Sequence, residues 1–94
     1  MPTAQIEDEL IKRSHAKLTG LIERLALPRT TGRVEAGNTK AEILRVAEEE
    51  HADLIVLGVR EIHTLAHAAT RVERATAYEV VAHAPCPVLT VRMA

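Results

Sequence analysis

Aromatic residues are almost absent from this sequence of 94 residues, in which Tyr78 is the only one. The core must therefore be built from leucine, isoleucine, valine and alanine, which supply most of the 47% apolar content. Such a short chain buries a smaller fraction of its surface than a long one, so we expect a thin margin of stability. The length predicts one domain over residues 1–94.

Cysteine, charge of one sign and long apolar runs are scarce as well. A single cysteine, Cys86, cannot form an internal disulfide, which favours the cytoplasm. Twelve basic and thirteen acidic residues are mixed along the chain, which argues against a nucleic-acid-binding protein. No apolar run is long enough to span a bilayer, and the polar start MPTAQIEDEL is unlike a secretory signal. We therefore expect a cytoplasmic protein that binds neither membrane nor nucleic acid.

Apolar residues at helical spacing predict three helices. The first covers residues 4–26 and ends before a proline. Thr39, with Glu42 three residues on, matches a capping box and predicts a second helix over 39–51. The third is predicted over 70–83, where the sequence APCP ends it.

Three segments are predicted to be strands. The clearest is 53–58, a continuous apolar run of the kind found where both faces of a sheet are covered. The sequence GRVEA, 32–36, alternates weakly, and 88–92 is the last strand. Strands that alternate with helices predict an α/β fold, with a small open parallel sheet of about three strands and helices on both faces. One face would have only one helix, so we expect exposed apolar surface and self-association.

Two segments, GNTKAEILRVAEEEHADLIVLG (37–58) and ATAYEVVAHAPCPVLTVR (75–92), resemble the universal stress protein family. The resemblance implies an adenine-nucleotide alpha-hydrolase-like fold, whose full sheet has five parallel strands. The first strand, first helix and second strand of that fold have no counterpart in this sequence, which would make the chain a truncated domain. The family commonly dimerises through its last strand, so the resemblance implies a homodimer through Val88 to Arg92.

Members of the family that bind ATP carry the motif G-x2-G-x9-G-[ST] after the strand that matches 53–58. The resemblance carries its cofactor-binding positions onto Leu57, Gly58, Glu61, Arg74, Ala75 and Thr76. Gly58 is the one glycine retained, and the loop is three residues longer than the motif allows. Glu61 replaces the second glycine and would repel a phosphate, while Arg74 and Ala75 replace the Gly-Ser pair. The adenine-contacting aspartate of the family belongs to the first strand, which has no counterpart here.

These departures predict a non-catalytic, nucleotide-free, dimeric regulatory or interaction protein of the stress response, with no cofactor. The alternative is an ATP-binding member that completes its site with another chain. Arg60, Arg71 and Arg74 could hold an anion by charge, although a solvated helix start explains them more simply.

Other residues point to chemistry only weakly. His63 and His67 have the spacing of a zinc ligand pair, but no further ligand pair accompanies them. Cys86 lies between two prolines, and the resemblance makes it part of a structural turn rather than a nucleophile beside His83. We expect Tyr78 to pack at an interface or a helix edge. The sequence therefore predicts no catalytic residue and no metal site.

Overall fold

The computed structural model describes residues 3–59 and 72–92. Five elements follow one another in the order α1 (Thr3–Leu25), α2 (Thr39–Glu49), β1 (Ile55–Val59), α3 (Arg74–His83) and β2 (Val88–Arg92). The chain divides into two compact units, Met1–Ala36 and Gly37–Ala94. The predicted α/β class is confirmed, whereas the extent of the domain stays a prediction.

In the first unit, α1 has the bounds that its apolar spacing predicts, to within one residue. Leu18 and Ile22 are half-buried on this helix. The chain returns past them at Gly32, where an added Cβ would lie 3.1 Å from Leu18 Cδ2 and 3.3 Å from Ile22 Cδ1. The absence of a side chain at Gly32 therefore permits a close approach to α1.

The predicted strand over 32–36 is wrong, because these residues have no regular secondary structure. Within the segment, Arg33 and Glu35 form an ion pair, in which Arg33 Nε lies 2.6 Å from Glu35 Oε1. Only Val34 among the non-glycine residues of the segment is half-buried. A strand needs a partner for its backbone groups, which alternation alone does not provide.

In the second unit, Asn38 rather than Thr39 is the N-cap of α2. Asn38 is extended, with φ −69° and ψ 122°, and its side chain accepts a hydrogen bond from the Ala41 amide at 2.9 Å. The predicted capping box at Thr39 and Glu42 is therefore wrong, because the cap lies one residue earlier and the side chain of Ala41 cannot return a hydrogen bond. The apolar side of α2 faces the core through Ala47, which is buried, and through the half-buried Ile43 and Leu44.

The strands β1 and β2 form a two-stranded parallel sheet, in which Ile55 lies opposite Val88 and Val59 opposite Arg92. About three strands were expected, and the described residues supply two because 32–36 contributes none. The last strand has the predicted bounds. The first is shifted towards its carboxyl end by comparison with the predicted range 53–58.

The third helix begins later than predicted. Val72 extends the chain beside β1 through a parallel bridge to Val59, and its amide donates to the Gly58 carbonyl at 2.9 Å. Glu73 follows as the N-cap, with ψ 154°, so helical geometry begins at Arg74. The predicted start at Thr70 lies outside the described residues.

The core lies on one face of the sheet, beneath α2 and α3. Its buried residues are Leu57, Val59, Ala77 and Val80, packed with the half-buried Ile43, Leu44, Ile55, Val72 and Val88. The side chain of Val80 is completely enclosed. Because α2 and α3 lie on one side of β1, its inward residues come from alternate positions of the strand.

The opposite face of the sheet is apolar and exposed. This exposed sheet face consists of Leu54 (52% exposed), Val56 (58%), Leu89 (53%) and Val91 (41%). The continuous apolar run of β1 was interpreted as covered on both faces, which the exposure of Val56 contradicts. The expectation that apolar surface stays exposed is confirmed. Among the described residues, no helix is long and apolar enough to cross a bilayer.

Candidate functional site

The carboxyl ends of β1 and β2 lie at the same edge of the sheet, because the two strands are parallel. The hydrogen bond from the Val72 amide to the Gly58 carbonyl brings the segment before α3 to this edge. The edge is therefore where the end of β1, the end of β2 and the start of α3 meet. Ligands of open α/β sheets usually bind at such an edge.

Five of the six predicted cofactor-binding positions lie among the described residues. Leu57 is buried and belongs to the core, so its side chain is not part of an accessible site. Gly58 lies within β1, while Arg74, Ala75 and Thr76 form the first turn of α3. Arg74 and Ala75 are exposed, and Thr76 is half-buried. Glu61 lies outside the described residues, as do Arg60, Arg71, His63 and His67.

The start of α3 carries a carboxylate of its own. Glu73 is the N-cap, and its carbonyl accepts a hydrogen bond from the Ala77 amide at 3.0 Å. Its side chain makes no capping hydrogen bond to the helix. A carboxylate here interacts favourably with the helix dipole and repels an anion that approaches the backbone amides of the first turn. The first turn of α3 is thus a poorer phosphate site than the family motif would make it.

Ala75 and Thr76 line a cleft of about 340 Å³ between α2 and α3. The other wall consists of Asn38, Thr39 and Lys40, with Glu79 beside it. Lys40 Nζ lies 3.6 Å from Glu79 Oε2, so the positive charge in this cleft already has a carboxylate partner. Both groups are well exposed to solvent, which weakens the ion pair.

A second cleft, of about 540 Å³, lies between α3 and β2 and is called the α3–β2 cleft below. Its lining consists of Val59, Arg74, Ala77, Tyr78, Val81, Thr90 and Arg92. The predicted residues Arg74 and Tyr78 belong to it. Thr90 and Arg92 were predicted only as part of the last strand and its dimer edge, and Val81 had no predicted role. The sequence contains a signal for this cleft, because 74, 77, 78 and 81 fall on one side of a helix and 90 and 92 on one face of a strand.

Metal and nucleophile chemistry gain little support from the described residues. Within 3–59 and 72–92, no group of three or more histidine, cysteine, aspartate or glutamate side chains is placed to hold a metal ion. His83 Nδ1 lies 2.9 Å from the Glu79 carbonyl of its own helix, and a carbonyl can only accept, so this nitrogen donates. The thiol of Cys86 is free and half-buried.

Comparison with known proteins gives one match. The model of the universal stress protein family matches residues 1–92. No curated protein matches the chain significantly, and neither does any solved structure. The family match covers nearly the whole sequence and agrees with the parallel α/β arrangement of β1, α3 and β2. The chain therefore belongs to the universal stress protein family.

Proposed function

We propose that this chain is a nucleotide-free interaction protein of the universal stress protein family, which acts as a dimer and has no catalytic activity. The observation that carries this proposal is an open strand edge next to an apolar surface, both on β2. Self-association would give a regulatory or scaffolding role in the stress response. The single cysteine favours the cytoplasm as its place of action.

The edge of β2 that faces away from β1 supports pairing with a second copy. The Pro87 carbonyl accepts from the Ile55 amide at 3.0 Å, so this part of the backbone faces β1. Backbone groups alternate along a strand, which directs those of Val88 and Thr90 to the other side. Among the described residues, no strand pairs with that side of β2. Unpaired edges of this kind are templates for another strand.

The exposed sheet face adds a hydrophobic contribution to such pairing. Leu89 and Val91 are 53% and 41% exposed and lie on β2 itself. Two copies related by a twofold axis would pair their β2 strands antiparallel. The apolar side chains of one copy would then lie beside those of the other, where cross-strand contacts stabilise the sheet.

Two features of the described residues favour a nucleotide-free protein. Arg74 and Ala75 stand where ATP-binding members have glycine followed by serine or threonine, so the close backbone approach that glycine allows is lost. The carboxylate of Glu73 precedes them at the N-cap of α3. It places negative charge beside the amides that would otherwise hold a phosphate. The alternative, ATP bound with the help of another chain, must overcome both features.

The change Thr90→Pro tests the proposed interface. Proline removes the amide at Thr90, which points away from β1, and leaves the internal ladder intact. We expect the wild-type chain to be a dimer in sedimentation equilibrium. We expect Thr90→Pro to weaken dimerisation about tenfold or more, because two intermolecular hydrogen bonds are lost.

Thr90→Ala is the matched control, because it removes the same side chain and keeps the amide. It should remain as dimeric as the wild type, and far-ultraviolet circular dichroism should give the same secondary structure for all three chains. A monomeric wild-type chain at about 100 μM, well above the range of stable dimers, would contradict the proposal. So would a Thr90→Pro chain that is folded and still fully dimeric.

A further inference from the structure

The α3–β2 cleft has the dimensions and the composition of a small-ligand site. Its volume of about 540 Å³ lies within the usual range for sites of small molecules. It lies on the helix-covered side of the sheet, whereas the exposed sheet face lies on the other. Binding of a ligand in the α3–β2 cleft is therefore a separate question from self-association through the backbone edge of β2.

The floor of the cleft is apolar. Val59 and Ala77 are 7% and 5% exposed, so they present little surface beyond what faces the cleft. Val81 follows Ala77 by one turn of α3 and is exposed, as is Tyr78. A ligand with an apolar body would remove these surfaces from water, which is favourable in proportion to the area covered.

Among the described residues of the lining, the charged groups are both arginines. Arg74 begins α3, and Arg92 ends β2 opposite Val59. Both belong to the sheet edge where parallel strands end, with the Thr90 hydroxyl on the same face of β2 as Arg92. Each arginine also interacts within the chain, so a ligand would share or replace that interaction. Guanidinium groups bind carboxylate and phosphate through paired hydrogen bonds.

Tyr78 completes the arrangement. The only aromatic residue of the chain is 70% exposed, on the helix that forms one wall of the cleft, rather than in the core. Its ring offers apolar area and its hydroxyl offers a hydrogen bond, a combination common at binding surfaces. Arg74 precedes it by one helical turn, so cation and ring lie on the same side of α3.

We propose that the α3–β2 cleft binds a small organic anion, namely a carboxylate or phosphate group attached to an apolar body. The body covers Val59, Ala77 and Tyr78, and the anionic group lies between Arg74 and Arg92. Tyr78, Val81, Thr90 and Arg92 lie outside the positions that correspond to the nucleotide motif of the family. The proposed interaction protein would therefore also bind a small ligand. This binding does not depend on the oligomeric state of the chain.

Nuclear magnetic resonance titration of the full-length chain tests the proposal with defined probes. The probes are 4-phenylbutanoate and phenyl phosphate, with 4-phenylbutan-1-ol as a neutral compound of similar body. We expect saturable amide shifts at Ala77, Tyr78 and Val81 for one or both anions. The alcohol should bind about tenfold more weakly, because it lacks the charge-assisted hydrogen bonds.

Two substitutions locate the site. Arg92→Gln and Tyr78→Ala should each weaken binding of the better anion about fivefold to tenfold. Arg45→Gln is the matched control, because it removes the same charge from the exposed side of α2, where Arg45 Nη1 lies 2.6 Å from Glu49 Oε1. It should leave the dissociation constant unchanged. Spectral dispersion equal to that of the wild type establishes that each variant is folded.

Equal affinity for the alcohol and both anions would overturn the proposal, because it would indicate adsorption to apolar surface. A second titration uses an acetylated, amidated Leu-Glu dipeptide, which represents an acidic protein segment. Amide shifts with this dipeptide and with neither aromatic anion would indicate that the cleft binds an acidic protein segment rather than a small molecule. That result would contradict the proposal. Full affinity in a folded Arg92→Gln chain would exclude the cleft as the site. If Arg92→Gln does not fold, Tyr78→Ala decides the location by the same measurement.

Discussion

Asn38 is the residue on which the start of α2 depends. Its side-chain oxygen lies 2.9 Å from the Ala41 amide, which would otherwise have no intrahelical partner. Gly37 precedes it with φ +138°, a conformation that side-chain-bearing residues rarely adopt. The turn into α2 thus depends on the backbone freedom of Gly37 and on the side-chain acceptor of Asn38.

We predict that Asn38→Ala lowers the free energy of unfolding by about 1 kcal/mol. For a chain of this size, the melting temperature should fall by about 4–8 °C. Thr39→Ala, one residue on, should change the stability by less than about 0.5 kcal/mol. Urea unfolding followed by circular dichroism distinguishes the two changes. A larger loss in Thr39→Ala than in Asn38→Ala would show that the capping box at Thr39 and Glu42 operates in solution.

At the scale of elements, the glycines of the first unit have opposite requirements. Gly20 lies within α1, and an added Cβ would meet no atom within 4 Å. Alanine has the higher helix propensity, so Gly20→Ala should raise the free energy of unfolding by about 0.5–1 kcal/mol. At Gly32 the added Cβ would lie 3.1 Å from both Leu18 Cγ and Leu18 Cδ2. We expect Gly32→Ala to lower stability by about 1 kcal/mol, through displacement of that side chain.

Chemical denaturation of both variants, monitored by helical ellipticity, checks this pair. The identical substitution at two positions controls for the general effect of alanine on the unfolded chain. Equal stabilisation by both changes would mean that Leu18 moves away without cost. It would then contradict the close approach of Gly32 to α1.

The elements that the sequence predicts well are those with strong local signals. The apolar spacing of α1 and the run at 88–92 identify elements whose bounds agree with the structure to within one residue. The start of α3 depends instead on a long-range interaction, because Val72 is held extended by β1. The segment 32–36 fails for the complementary reason, since its alternation has no neighbouring strand to pair with. Local pattern determines an element only where the tertiary environment does not compete.

At the scale of the whole molecule, the candidate sites depend on residues far apart in sequence. The family motif predicts a site formed by the loop after Gly58 and the first turn of α3. The α3–β2 cleft also needs Arg92, whose place beside Val59 follows from the register of two parallel strands. The pairing of these two strands joins segments about 30 residues apart, which the sequence pattern does not specify. The sequence therefore identifies Arg74 and Arg92 one at a time, but it does not predict that they line the same cleft.

A titration with magnesium ATP tests the nucleotide-free proposal on the intact chain. A ligand present at about 100 times its dissociation constant stabilises a folded protein by about 2.7 kcal/mol. For a chain of this size that energy raises the melting temperature by about 10 °C or more. We expect a shift of less than about 1 °C at millimolar ATP. The reasons are the carboxylate of Glu73 at the N-cap of α3 and the loss of glycine at Arg74.

Substitutions locate the site at which ATP would raise the melting temperature. Binding at the first turn of α3 would be abolished by Arg74→Glu and retained in Arg45→Glu, which makes the same charge change on α2. Any larger shift would contradict the nucleotide-free proposal, and one that also persists in Arg92→Gln and Tyr78→Ala would arise at the first turn of α3. A shift lost in those two variants would instead place the triphosphate in the α3–β2 cleft, where its phosphates would meet Arg74 and Arg92. Inorganic tripolyphosphate in place of ATP separates recognition of the nucleoside from attraction of a polyanion, because both carry three linked phosphates and only ATP carries the nucleoside.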